Sequence, residues 1–395
     1  MTTYPCRSET FAHREIDVLR RNGLDVSVFA AEPGVSPTAT AAGVDVTYRS
    51  RFGSLESMRS MTYVLMRHPV GLLKLGLLML QLLFVCPREA LALAGNVHTV
   101  SGLVRCLDTA GIERIHAYFL SWPALIGLAV SRVRRCRFSI AAHARDIFVE
   151  SGAIERKVRA AAFVVTCTRQ GLETLRQRLP GELHGKLHLV RHCLPATLSE
   201  NCRKHDPRHP KRFDLICVGR FVEKKGYGYL VMALALLKDR RHIVTLCLTG
   251  EGPERLHLQR LVGDLGLQAC VRFAGWLPSR AISEYMLGAR ALVVPSVVAG
   301  SGDRDGIPNV ILEAMSLGVP VLASRLPSIC EVVEHKRTGL LVPPGDIEAL
   351  AKTIPMLLTS GRLRIRLAAQ ARESVRRHFE AAALARSMKQ LFGVH

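Results

Sequence analysis

ICVGRFVEKKGY, residues Ile216 to Tyr227, is the stretch on which the fold turns. A short Val/Ile/Cys run reads as a strand, a loop bracketed by Gly219 and Gly226 follows, and helical spacing resumes at Tyr227. The loop holds Arg220 and Lys225 at the carboxyl end of a strand and beside a helix amino terminus. Backbone N–H groups and the helix dipole favour phosphate at such a place. Working outward, the same alternation recurs. Phe213 to Val218, Ile243 to Thr249, Val271 to Ala274, Ala291 to Pro295 and Pro320 to Ala323 read as strands. Helices are expected near Tyr227 to Lys238, Pro253 to Leu265, Arg280 to Gly288 and Pro308 to Leu317. Towards the amino terminus, Glu9 to Arg21 reads as a helix stopped by Asn22-Gly23, with strands at Leu24 to Ala30, Ile112 to Phe119, Arg137 to Ala142 and Ala162 to Thr166. Repeated strand–helix alternation predicts βαβ units and parallel sheets.

The chain has 395 residues, enough for two domains that each bury a core. Residues 1–194 read as one Rossmann-like domain and 195–212, polar and proline-bearing, as a linker. Residues 213–378 read as a second Rossmann-like domain, and 379–395 as a closing carboxyl-terminal helix. The formal charge is +21, with 30 Lys+Arg against 17 Asp+Glu up to Arg212 and 24 against 16 beyond it. This excess favours polyanions. It is spread out, and with 6% aromatic residues there is no Arg/Lys run interleaved with rings to stack unpaired bases, which argues against nucleic acid. The 11 cysteines are scattered without a C-x-x-C pair or zinc spacing, which suits a reducing compartment. No basic-then-apolar leader opens the sequence, so a cytoplasmic location is expected. Leu72 to Val85 (LLKLGLLMLQLLFV) is too short to span a bilayer and reads either as a buried core helix or as a membrane-surface helix.

A second motif, DGIPNVILEAM at Asp305 to Met315, joins a glycine loop to a helix, with Pro308 expected at its first position. Asp305 precedes the helix and Glu313 lies within it. Carboxylates there suit sugar hydroxyls and a ribose diol, or serve simply as a buried cap and a satisfied helix side chain.

Together these segments resemble the donor half of the retaining glycosyltransferases of family 4, which have the GT-B fold. The resemblance rests on VGRFVEKKG (218–226), TGEGPERLHLQRL (249–261), FAGWLP (273–278), DGIPNVILEAMSLGVPVLAS (305–324) and TGLLVPPGD (338–346), in order and at matching spacing. It implies that two Rossmann-like domains face a cleft. It implies that Arg220 and Lys225 bind the donor diphosphate, that Glu313 holds the ribose and that Asp305 contacts the donor sugar. Gly219, Gly250 and the loop Gly306, Ile307, Pro308, Asn309 and Val310 complete the implied donor site. The family's first acid is Glu where this chain has Asp305, and its Gly-Ile-Pro-Glu is here Ser328-Ile329-Cys330-Glu331. Cys330 reads as a packing substitution.

The amino-terminal half resembles the branch that builds exopolysaccharide and colanic-acid-like units, through YPCRSETFAHREI (4–16), IHAYF (115–119) and AAHARDIF (141–148). By that resemblance His143 lies by the donor sugar with Asp146 nearby. A strand normally precedes the Tyr-Pro turn of the family. Only Met1 to Thr3 do so here, so the first strand is expected to be missing, through a late start site or truncation, and to leave an unpaired slot.

The reaction implied is transfer from a nucleoside-diphosphate sugar to a glycan or lipid-linked saccharide, with retention, at an anionic membrane surface. Fixed cations make a cofactor or metal unnecessary, although Asp303-Arg304-Asp305 spells D-x-D. A nucleotide-sugar hydrolase or epimerase, a non-catalytic homologue and a nucleic-acid binder are the rival readings.

Overall fold

The computed structural model describes residues 1–6, 9–34, 44–149, 152–194 and 211–394. The expected linker lies outside these except for Lys211 and Arg212, and so do Arg7 and Ser8 of the amino-terminal motif. Two compact units emerge, Met1–Arg191 with Ala385–His395, and His192–Leu384.

In the first unit, β1 (Thr3–Tyr4), β2 (Val28–Ala30), β3 (Glu32–Pro33) and β4 (Val46–Tyr48) form two small parallel pairs, β1 with β3 and β2 with β4. A four-stranded parallel sheet runs in the order β5 (Arg114–Tyr118), β6 (Arg137–Ala142), β7 (Val164–Thr166) and β8 (Leu187–Leu189). Met1 to Tyr4 do pair, since Ala31, Glu32 and Gly34 donate to the carbonyls of Met1, Thr2 and Tyr4. They cover only one end of the expected first strand. Between the remaining edges lies a cavity of about 600 Å³, bordered by Ser27 to Phe29 on one side and Arg114 to Tyr118 on the other. A first strand is therefore not wholly absent as expected, since the two-residue β1 pairs with β3. The buried terminal amine of Met1 donates to the Phe29 carbonyl at 2.8 Å, and burial lowers its pKa to about 6.

The second unit holds one six-stranded parallel sheet made of β9 (Phe213–Val218), β10 (Leu246–Thr249), β11 (Val271–Gly275), β12 (Ala289–Val294), β13 (Val321–Ser324) and β14 (Leu340–Val342). The spatial order is β11-β10-β9-β12-β13-β14, the doubly wound arrangement, which reverses direction between β9 and β12. Alternate residues of each strand enter different cores. Leu215 and Cys217 pack with the Tyr227–Asp239 and Ile347–Thr359 helices, while Ile216 and Val218 pack with the Asn309–Leu317 and Gly361–His378 helices. Burial on both faces explains why the strands read as continuous apolar runs.

The last helix is Ala381–Phe392. Its end belongs to the first unit, where Arg114 donates to the Phe392 carbonyl and the Phe392 ring lies 5.4 Å from Phe163.

Candidate functional site

The reversal point of a doubly wound sheet leaves a crevice at the carboxyl ends of the flanking strands, because the chain departs to opposite faces on either side of it. In the second unit those ends are Val218 of β9 and Val294 of β12. The loops that follow carry both sequence motifs.

After β9 the chain turns at Gly219 and Arg220, passes through a single 3-10 turn (Glu223–Lys225) and enters the Tyr227–Asp239 helix at Gly226. Gly226 has φ +63°, and a Cβ there would stand 2.0 Å from the Pro295 carbonyl oxygen. That approach locks the loop after β9 against the loop after β12. The Val297 N–H adds a hydrogen bond to the Lys224 carbonyl at 2.9 Å.

The side chains follow the same pairing. Lys225 Nζ lies 2.9 Å from Asp305 Oδ2, the same oxygen that accepts from Ser296 Oγ at 2.7 Å. Lys224 Nζ lies 3.0 Å from Asp303 Oδ1 and 4.0 Å from Asp305 Oδ1. Burial alone would raise the Asp305 carboxyl; Lys225, Lys224 and the Ser296 bond outweigh it and hold the group below the ordinary carboxylate range. Arg220, at the head of the loop, is exposed.

Pro308 is the N-cap rather than the first helical residue, and the helix runs Asn309–Leu317. Its φ of −65° suits either position, and its ψ of 122° places it outside the helix. Ile307 is buried against the helix side of the sheet, and Gly306 and Val310 flank the cap. Asn309 Oδ1 is buried and finds no partner among the described residues. Glu313 lies one turn into the helix, half-buried. Gly250, after β10, crosses directly over Gly219, where a Cβ would meet the Gly219 carbonyl oxygen at 2.0 Å.

Several contributors carried no local signal. Ser296 and Lys224 hold the two acids. Ser328, in the segment that departs from the family pattern, donates to the Asp305 carbonyl at 2.9 Å and fixes its loop. Tyr227, buried, has a hydroxyl without a partner among the described residues, 3.0 Å from where a Gly219 Cβ would be. Position after a strand end would have marked Ser296. The half-buried Cys330 has its thiol pushed up by burial, so it is a poor nucleophile.

His143 and Asp146 belong to the first unit. His143 caps the short Ala144–Phe148 helix, and its N–H donates to Asp146 Oδ2 at 3.2 Å. Its ring lies 4.6 Å from Phe11 and 5.1 Å from Phe119. Burial lowers its pKa to about 4, and burial together with the nearby His143 lowers His116 to about 3. Burial raises Glu15 to about 7 against a hydrogen bond from Tyr118.

These three groups, together with the buried Met1 amine, weigh on the acid stability of this unit. A histidine depressed in the folded state costs nothing above its unfolded pKa near 6.5 and destabilises as pH falls below it, because the unfolded chain then binds more protons. Glu15 acts oppositely, gaining stability as pH falls from about 7. By pH 4 the two imidazoles together cost about 6 kcal/mol and Glu15 returns about 3. The Met1 amine, lowered to about 6, adds about 1 kcal/mol of cost over the same range, so urea unfolding followed by Trp122 in a Trp276→Phe background should show the first unit weaker by about 4 kcal/mol at pH 4 than at pH 7. Glu15→Gln should steepen that loss, and a flat profile would refute it.

Three comparisons bear on this arrangement. The family described as Glycosyl transferases group 1 matches residues 199–374. Among curated relatives, the amylovoran biosynthesis glycosyltransferase AmsK of Erwinia amylovora is 36% identical over 152 residues, 38% of this chain and 37% of the relative. The putative colanic acid biosynthesis glycosyltransferase WcaL of Escherichia coli K12 is 33% identical over 141 residues, 36% of this chain and 35% of the relative. The chain thus spans little more than a third of the length of these relatives. Among solved structures, Anabaena Alr3699/HepE, in complex with UDP and glucose, superposes with a TM-score of 0.71 over 98% of this chain and 96% of the other at 17% identity. The architecture is that of the GT-B glycosyltransferases.

Proposed function

We propose that this chain, carrying a group 1 glycosyltransferase domain over 199–374, moves a sugar from a nucleoside-diphosphate donor to a saccharide acceptor in cell-surface glycan synthesis. The observation that supports it most is the coupled pair of loops at the sheet reversal, which sets Arg220, Lys224 and Lys225 at the amino end of the Tyr227–Asp239 helix. Negative charge grows on the departing diphosphate as the glycosidic bond loosens. Fixed cations and helix N–H groups meet that charge without reorganising, an effect worth about 3 to 4 kcal/mol per well-placed donor.

Transfer proceeds with retention. The acceptor hydroxyl attacks on the face the diphosphate leaves, and the leaving phosphate oxygen takes its proton. Asp303 and Asp305 are each held by a lysine ammonium. A divalent cation would have to displace those ammoniums, so the reaction is read as metal-free. Glu313 holds the ribose. The acceptor is a glycan, a reading supported by relatives named for amylovoran and colanic acid biosynthesis; its being lipid-linked on the cytoplasmic face of the inner membrane is part of the proposal.

Thermal shift against nucleoside diphosphates and nucleotide sugars is the direct test. Wild type should be stabilised by at least one of them, and Arg220→Ala should lose that response while keeping its own unliganded midpoint. No stabilised ligand, or an equal response in the variant, would defeat the assignment. An inverted anomeric centre in the NMR spectrum of the product would defeat retention alone.

A further inference from the structure

The first unit turns one helix inside out. Helix Leu55–Arg67 buries Ser57, Ser60 and Val64 and sends Leu55, Met58 and Met66 to solvent, Met66 with 80% of its surface exposed. A soluble helix does the reverse. After His68 the chain bends by 106° into Pro69–Val85, which buries Leu75, Leu78 and Leu82. At one hundred degrees per residue the opposite side of that helix is the row Leu73, Leu77, Leu80 and Phe84, all exposed, Leu73 at 75% and Phe84 at 82%. Leu55, Met58, Leu65 and Met66 on the first helix and Leu73, Leu77, Leu80 and Phe84 on the second are thus large apolar side chains all left in solvent, an accumulation of the kind that marks an interaction surface.

The charges around this surface select its partner. From 51 to 91 the exposed ionised side chains are Arg51, Arg59, Arg67 and Arg88 against Glu56 alone, while Glu89 is taken by the buried Lys157. An apolar face rimmed by arginine is complementary to a bilayer whose surface is anionic, where acyl chains receive leucine and phosphate receives guanidinium. A second protein copy would bring the same arginines and repel. Among the described residues no single helix is long and apolar enough to cross a membrane; this pair reaches that length only together, across its 106° bend, and each helix is one-sided, with a buried row opposite an exposed one, which suits lying along a surface.

We infer that helices Leu55–Arg67 and Pro69–Val85 form a monotopic docking face for an anionic lipid bilayer, inserting the Leu73–Leu77–Leu80–Phe84 row among the acyl chains. The inference does not depend on transferase activity, and its readouts do not involve nucleotide.

The full chain is floated with vesicles of phosphatidylcholine plus phosphatidylglycerol and with vesicles of phosphatidylcholine alone. Wild type should float with the anionic vesicles and only weakly with the neutral ones. Leu73→Gln/Phe84→Gln changes two exposed positions to a good helix former, so its thermal midpoint should stay put while partitioning falls by roughly tenfold or more. Arg59→Glu/Arg67→Glu should erase the preference for phosphatidylglycerol. The indole introduced by Phe84→Trp should be quenched by brominated acyl chains. Failure of wild type to float at low salt, or absence of that quenching, overturns the inference. So does a wild-type dimer in solution that Leu73→Gln/Phe84→Gln converts to monomer with vesicle binding unchanged, since the face would then join copies of the chain.

Discussion

Lys225→Ala is expected to destabilise the second unit by about 3 to 5 kcal/mol and to abolish transfer, two effects with different origins. The stability loss comes from Asp305. Its carboxylate is 7% exposed and shares one oxygen between Lys225 at 2.9 Å and Ser296 at 2.7 Å. Without the ammonium, burial dominates and the acid is left as an under-compensated charge, with only Lys224 at 4.0 Å to oppose it. The loss of transfer follows from the role proposed for Lys225 as a cation beside the leaving diphosphate.

The two effects separate in a double-mutant cycle. Asp305→Asn in the Lys225→Ala background keeps a carbonyl to accept from Ser296 and removes the charge, so most of the lost stability should return, with a coupling energy of about 2 kcal/mol or more. Transfer should not return. Arg220→Ala supplies the complement: at an exposed position stability should move by less than about 0.5 kcal/mol, while kcat/KM falls on the order of a hundredfold. Urea denaturation and product formation on wild type, Lys225→Ala, Asp305→Asn, the double variant and Arg220→Ala decide the matter. An unchanged midpoint in Lys225→Ala would mean that the pair is ornamental; recovered activity in the double variant would remove Lys225 from the chemistry.

That coupling shows where reading the sequence stops. Strands such as Phe213–Val218 and Arg137–Ala142 stand at the limits expected from it, because burial on both faces leaves an apolar run with sharp ends. The glycine loops and the cations among them were legible for the same local reason. Lys225 and Asp305 lie 80 residues apart, so no spacing rule announces that one neutralises the other. Ser296 and Tyr227 were silent because a serine or tyrosine at a strand or helix end has many uses, and only the reversal between β9 and β12 gives these two a place in the site. Strands of two or three residues, including β1, β3 and β8, owe their existence to distant pairing and not to their own side chains. Helix Leu55–Arg67 illustrates the opposite difficulty. Its apolar content is plain, but the side facing inward is the serine side, which periodicity would assign to water.

Gly250→Ala is expected to cost on the order of 3 kcal/mol and to lower donor affinity, although it adds one methyl group. Gly250 sits at φ +138°, outside the range an L side chain adopts readily, and its Cβ would fall 2.0 Å from the Gly219 carbonyl oxygen and 2.8 Å from the Gly219 carbonyl carbon. Both obstacles are backbone, so no rotamer change relieves them. Relief has to come from separating the turns after β9 and β10, which are joined by the Gly219 N–H to the Thr249 carbonyl at 3.0 Å and the Phe221 N–H to the Glu251 carbonyl at 2.9 Å. Moving that crossing moves Gly219 and Arg220 relative to the Tyr227–Asp239 helix, so stability and nucleotide response should fall together. Gly102→Ala is the matched control: it lies within the Val97–Thr109 helix, nothing stands within 4 Å of the added carbon, and the change should stabilise by about 0.5 to 1 kcal/mol with donor response intact. Equal behaviour of the two variants in urea denaturation and nucleotide thermal shift would show that the crossing after β9 and β10 is not what holds the Gly219–Gly226 loop in place.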